Sequence, residues 1–166
     1  MYKPTTEQGD CIFCAIAQGK LTTPGVFWED EKYMAFLSID PNTEGYSCVI
    51  PKDHFASDVL KMNDSDLASF VIASKKVSHI LENYFDDVGR IGLVMEGTGI
   101  DHAHIKLIPM HKTEYLKNGG WKQVGSSSEK TYFETYEGWI SSAAGPRVDD
   151  IILSQLAKKI IDSQNQ

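Results

Sequence analysis

The sequence predicts an α+β fold, an antiparallel sheet with one long helix. Two observations point to it. Short apolar runs follow one another directly, three before and two after a single long amphipathic stretch, without the strand–helix alternation of a doubly wound sheet. The chain of 166 residues is 42% hydrophobic and 23% charged, an ordinary globular composition with enough length to bury one good core.

Asp10 stands where it can cap a short helix over residues 11–18, with Gly19 in the position where helices commonly end. Residues 26–28 and 32–39 read as two strands around an Asp30-Glu31 turn, and 46–50 as a third after Pro41, Asn42 and Gly45. Acidic residues from Asp64 mark the start of a helix that runs to Phe85. Its apolar stripe, Leu67, Phe70, Val71, Val77, Ile80 or Leu81, and Tyr84, lays one face on the sheet. Residues 90–96 and 103–109 read as two more strands, joined by the glycine-containing loop 97–101. A long loop over 118–130 follows, then an aromatic stretch with Tyr132, Phe133, Tyr136 and Trp139 that is expected to pack on the body. The last helix spans 149–161 and is expected to bury Ile152, Leu156 and Ile160.

Charge narrows the function. With 16 Lys+Arg against 23 Asp+Glu, the net charge is -7, which excludes general nucleic-acid binding because that needs a cationic face. A small anionic ligand held by a few local cations stays open. The longest apolar stretch, 11–17, is far below the roughly 18 residues of a membrane helix, so no membrane association is expected. The polar, acidic start does not read as a signal peptide, and the three cysteines read as thiols or metal ligands rather than a disulfide framework. The expected location is cytoplasmic.

Residues 101–109, Asp-His-Ala-His-Ile-Lys-Leu-Ile-Pro, are the most informative. In a strand, His102, His104 and Lys106 share one face, while Ala103, Ile105 and Leu107 enter the core. Taken alone, this is either an amphipathic strand with a solvated face or a row of aligned chemistry. Cys11 and Cys14 have the spacing that brings two thiolates from one turn to a tetrahedral metal, and equally the spacing of inert or redox thiols. His54 and His102 can complete a Cys2His2 zinc site. Cys48, inside an apolar run, reads as core. Loop 96–101 offers glycine-permitted N–H groups suited to phosphate oxygens, with Thr98 adding a hydroxyl, or it is a strand-joining turn. His111 reads as a solvated loop histidine and His79 as a structural one on the long helix.

Three motifs in this order resemble the histidine-triad (HIT) proteins, nucleotide hydrolases and transferases. They are Cys11-Ile12-Phe13-Cys14; Ala35-Phe36-Leu37 leading to Val49-Ile50-Pro51-Lys52-Asp53-His54; and His102-Ala103-His104 with Leu107-Ile108-Pro109. The resemblance covers residues 11–111. It implies a HIT domain over 1–112; the extension 113–166, which the match does not explain, is expected from its own residues to pack its aromatic loop and terminal helix on the same domain. It also implies a homodimer with a continuous sheet. His104 takes the nucleophile's place, attacking the α-phosphorus of a nucleoside phosphoramidate or dinucleoside polyphosphate to give a nucleotidyl-histidine that water hydrolyses. Cys11, Cys14, His54 and His102 take the places of the ligands of a structural zinc. Ser38, Asp40, Thr98 and Gly99 are the expected nucleotide contacts; Lys106, two residues from His104 on the same strand face, reads either as a second catalytic group, a fixed cation beside the phosphate, or as a solvent-facing strand lysine.

The chain departs from the family pattern at several positions. Lys106 replaces the third histidine, Ser38 the acidic residue that commonly binds ribose, Met95 an amide, and Tyr46 a further histidine. Asp40 either takes over the ribose contact or caps the turn at Pro41. These departures leave a rival function, a nucleotide-binding or interaction module with the same fold and little turnover.

Overall fold

The computed structural model describes residues 8–120 and 147–164. Five strands, β1 (Val26–Glu29), β2 (Tyr33–Leu37), β3 (Ser47–Pro51), β4 (Ile91–Val94) and β5 (Ile105–Pro109), form one sheet in the order β1-β2-β3-β5-β4. Every neighbouring pair is antiparallel. The α+β expectation holds. Among the described residues, no helix is long and apolar enough to cross a membrane. The first hairpin turns on Asp30, whose carboxylate accepts from the backbone N–H groups of Lys32 and Tyr33 at 2.8 Å each.

Pairing register sorts the side chains to two faces. Ala35 faces Val49, which faces Ile105, and all three point toward α2 (Asp64–Tyr84) and α3 (Asp150–Ser163). Phe36 faces Cys48, which faces Lys106, on the opposite side. That second face carries a smaller cluster of Met34, Phe36, Cys48 and Ile50, covered by Cys11, Phe13 and Cys14 of the N-terminal segment around α1 (Ile12–Ala17).

The long helix is capped by Asn63, whose side chain accepts from Asp66 N at 3.0 Å. Phe70, Ala73, Ser74, Val77 and Leu81 are its buried face, and Phe70 stacks on Tyr33 with ring centroids 5.4 Å apart. Val71, expected on this stripe, is exposed, because a face centred on Phe70 and Val77 turns its Cα outward. Leu81, rather than Ile80, takes the fully buried position.

Asp149 caps α3 by accepting from Ile151 N at 2.8 Å. The helix buries Leu153, Ala157 and Ile160, whereas Ile152, expected inside, is 59% exposed. Packing on α2 and the β1–β2 side of the sheet takes Leu153, Ala157 and Ile160 as the inward row instead. Val148 N, just before the helix, donates to Ile39 O in the loop after β2 at 3.0 Å. Leu153, Ala157 and Ile160 of the terminal helix join the core against the sheet, while the aromatic stretch and most of loop 118–130 lie outside the described residues.

Two further expectations change. Asp10 does not cap α1. The capping position belongs to the buried Cys11, which makes no side-chain cap bond, and Asp10 ends a preceding 3-10 turn. The last strand begins at Ile105, not 103, because Ala103 N donates to Phe55 O at 2.9 Å and so leaves the ladder for the loop after β3.

Candidate active site and metal centre

That bond to Phe55 fixes the local geometry. It draws residues 101–104 against the loop after β3, bringing His102 beside His54 with ring centroids 5.2 Å apart. The fully buried His102 donates Nε2–H to the Pro51 carbonyl at 2.9 Å. Its Nδ1 lone pair then faces the sulfurs, 3.4 Å from Cys11 Sγ and 3.5 Å from Cys14 Sγ. Cys14 Sγ lies 3.0 Å from His54 Nδ1.

Cys11, Cys14, His54 and His102 thus converge, their donor atoms all within 4.8 Å of one another. A tetrahedral zinc with ordinary Zn–S and Zn–N bonds sets its donors about 3.3–3.8 Å apart, so this cluster fits one with little movement. Its electrostatics ask for a cation. Burial, and then the neighbouring Cys11, push the Cys14 thiol up to about 12, so two thiolates here need a positive charge between them. Burial pulls His102 down to about 4, leaving it the neutral imidazole a metal requires.

Two residues on, His104 is held in the opposite sense. Its Nδ1–H donates to the His102 carbonyl at 2.8 Å, so the lone pair sits on Nε2. Burial is the main force lowering its pKa; the His102 carbonyl opposes this, Lys106 adds to it, and Glu96 opposes it. Phe13 closes one side, its ring edge-on to His104 at 5.7 Å and to His102 at 5.8 Å.

His104 lines a cavity of about 450 Å³, within the usual range for a small-molecule site. Lys106, Ser38, Asp40, Thr98 and Gly99 line it too, so all six residues singled out as catalytic or nucleotide-binding border one space. Ser38 and Asp40 reach it from the loop after β2, not from a strand face, with Asp40 N donating to Ser38 Oγ at 3.2 Å. Just before Thr98, Gly97 has φ +64, and a Cβ there would stand 2.7 Å from Ser57 O, so only glycine lets this loop close on the segment after His54.

Sequence reading missed three contributors. Glu96 forms an ion pair with Lys106, both side chains largely buried at 15% and 17% exposure. Because β4 pairs Val94 with Lys106, a residue just past β4 comes alongside, a signal available only once the register is known. Arg147 and Asp150, paired at 2.7 Å, border the cavity from the start of α3. His111, expected as a solvated loop residue, is instead clamped between Asp87 Oδ1 at 3.0 Å and the Glu44 carbonyl at 3.1 Å.

A family model described as the HIT domain matches residues 22–113. The chain belongs to the HIT family. The cysteine pair and α3 lie outside that match yet complete the metal cluster and the cavity wall. The HIT chain is 33% identical to the adenosine 5'-monophosphoramidase of Schizosaccharomyces pombe, over 72% of this chain and 89% of that protein. Among solved structures, it resembles a histidine triad nucleotide-binding protein from Sulfolobus tokodaii, with a TM-score of 0.66 at 24% identity, covering 93% of this chain and 92% of that one. It also resembles a zinc-bound histidine triad family protein from Mycobacterium smegmatis, with a TM-score of 0.58 at 18% identity and 96% coverage of each chain. At these identities the two structures establish the fold.

Proposed function

We propose that this protein is a nucleotide hydrolase acting on the α-phosphorus of a nucleoside phosphoramidate or a dinucleoside polyphosphate, with His104 as nucleophile. One observation carries the reading: Nδ1–H of His104 is fixed on the His102 carbonyl, so a neutral imidazole presents Nε2 in a nucleotide-sized cavity. As an Nε2–P bond forms, the P–N or P–O bond to the leaving group breaks; an amine leaves with a proton taken from solvent, and a nucleoside polyphosphate leaves as the anion. Water then attacks the nucleotidyl-histidine, releasing the nucleoside monophosphate and restoring Nε2. The relative named a monophosphoramidase supports this class of substrate.

Thr98 and Gly99 face the phosphates, Ser38 and Asp40 the ribose, and Lys106 the phosphorus. Zinc, held by Cys11, Cys14, His54 and His102, would supply structural closure rather than chemistry, since all four positions are taken by protein. Reduced cysteines of this kind suit the cytoplasm. A homodimer would form by pairing across β4, the last strand in the sheet order.

One feature favours the rival binding module. Lys106 has its charge matched by Glu96 and is not a lone cation facing the cavity. Incubation with a panel of adenosine and guanosine phosphoramidates and dinucleoside polyphosphates, followed by rapid acid quenching and peptide mass mapping, separates the two. Turnover with a nucleotidyl mass on the peptide containing His104 is the expected result. Bound nucleotide with neither turnover nor adduct overturns the enzyme reading.

A further inference from the structure

The charges around the cavity are unusual for a phosphate site. Among the described residues, the cations lining it are Lys106 and Arg147, and the carboxylates lining it are Asp40 and Asp150. Each cation has a carboxylate on it: Asp150 on Arg147 at 2.7 Å, and Glu96 on Lys106. The second pair is the consequential one. Its side chains are 15% and 17% exposed, so solvent screens it weakly, and it stands one pleat from His104 on the same face. An anion entering beside His104 meets an ammonium that is already neutralised, with a carboxylate just behind.

Phosphorus groups differ in how they tolerate this. The α-phosphorus of a phosphoramidate, a phosphodiester or an internal anhydride carries one negative charge. A terminal phosphate monoester carries about 1.5 to 2 at neutral pH. Repulsion from a fixed carboxylate scales with that charge. Resting on the hydrolase reading above, we infer that Glu96 is a specificity-determining residue that sets the cavity against doubly charged phosphate. By cancelling the pull of Lys106, it removes the advantage that the doubly charged monophosphate product would otherwise hold over the singly charged phosphorus of the substrate.

The test compares two ligands that differ by one charge, AMP and its 5'-methyl phosphodiester, by calorimetry at constant pH 8 and low salt. Wild type is expected to bind the diester at least as tightly as AMP. In Glu96→Gln, which can still hydrogen-bond the ammonium, the ratio of AMP affinity to diester affinity should rise about tenfold, as expected for removing one partly screened charge. Inhibition of turnover by AMP should deepen in step. Glu96→Asp keeps the charge and should keep the wild-type ratio. Lys106→Met leaves the carboxylate without its ammonium and should move the ratio the other way, so the inference stays testable even if one variant folds poorly. A ratio unmoved in Glu96→Gln, or moved equally in Glu96→Asp, overturns it while leaving the hydrolase reading intact. Wild type that binds neither these two nor the corresponding GMP pair overturns the inference, while the hydrolase reading is decided separately by turnover and the His104 adduct.

Discussion

Beneath α2 and α3 the sheet is closed by side chains without chemistry: Phe70, Val77, Leu81 and Ile160 are all fully buried. The opposite face is closed by the six-residue α1, by thiols and imidazoles, and by a cavity. A helix of six residues is far too short to persist by itself, and this one lacks a side-chain cap. The two faces therefore stay folded for different reasons. Apolar area holds the first; convergence of Cys11 and Cys14 on two histidines, with Phe13 between them, holds the second. β5 serves both, sending Ile105 and Leu107 one way and Lys106 the other.

Substitution on either face should show this division. The largest expected effect is His104→Ala, which should lower turnover by about a thousandfold or more while costing no more than about 2 kcal/mol of stability. Nucleotide binding should stay within a few-fold, since the nucleophile acts mainly on the transition state. Steady-state kinetics beside urea unfolding check it; undiminished turnover would remove His104 from the mechanism. Phe70→Ala should do the reverse. It deletes a fully buried ring stacked on Tyr33, at a cost of about 3–5 kcal/mol, with the activity per folded molecule retained.

Metal removal should blur the two behaviours. If zinc saturates its site a hundredfold, a chelator should cost about 2.7 kcal/mol by mass action. It should also lower turnover, because Phe13, next to ligand Cys14, leans on His104. Elemental analysis of protein purified without added metal, with melting curves of Cys11→Ser, decides the assignment; no zinc and an unchanged melting temperature would end it.

The smallest expected effect lies at the clamp on His111. Burial works against its charge, but the Glu44 carbonyl and the Asp87 carboxylate more than offset this and raise its pKa above 6.5. A histidine raised on folding stabilises most below its unfolded pKa and loses that contribution as pH rises through the folded value. The wild-type urea midpoint should therefore decline above about pH 6.5. In His111→Gln that decline should flatten. Asp87, lowered chiefly by its bond to His111, works in the other direction, losing its contribution only as pH falls below the usual carboxylate range.

Much of this architecture was legible before any coordinates. The strand sequence, the long helix and the alternation of Ala103, Ile105 and Leu107 against His102, His104 and Lys106 all rest on local periodicity, which a sequence carries in full. The convergence of two cysteines with two histidines was legible because cysteine spacing is itself a geometric statement. Rotation of α3 was not. Ile151, Ile152 and Leu153 are consecutive apolar residues, and which of them turns inward is settled by how α3 packs on β1, β2 and α2. Nor was the partner of Lys106, because Glu96 meets it through a cross-strand register that no local pattern encodes. The His111 clamp likewise joins three separate segments of the chain.

His102 works at both ends. Its ring faces the sulfurs while its carbonyl holds His104, so one residue is shared between the Cys/His cluster and the imidazole proposed as nucleophile. Sharing makes the two sites thermodynamically reciprocal: if an occupied cluster stiffens His102 and thereby favours a nucleotide by some factor, the nucleotide must favour the metal by the same factor. An ion in that cluster would then act on affinity without touching the substrate. Withdrawing it would weaken nucleotide binding by that same factor, even in molecules that stay folded.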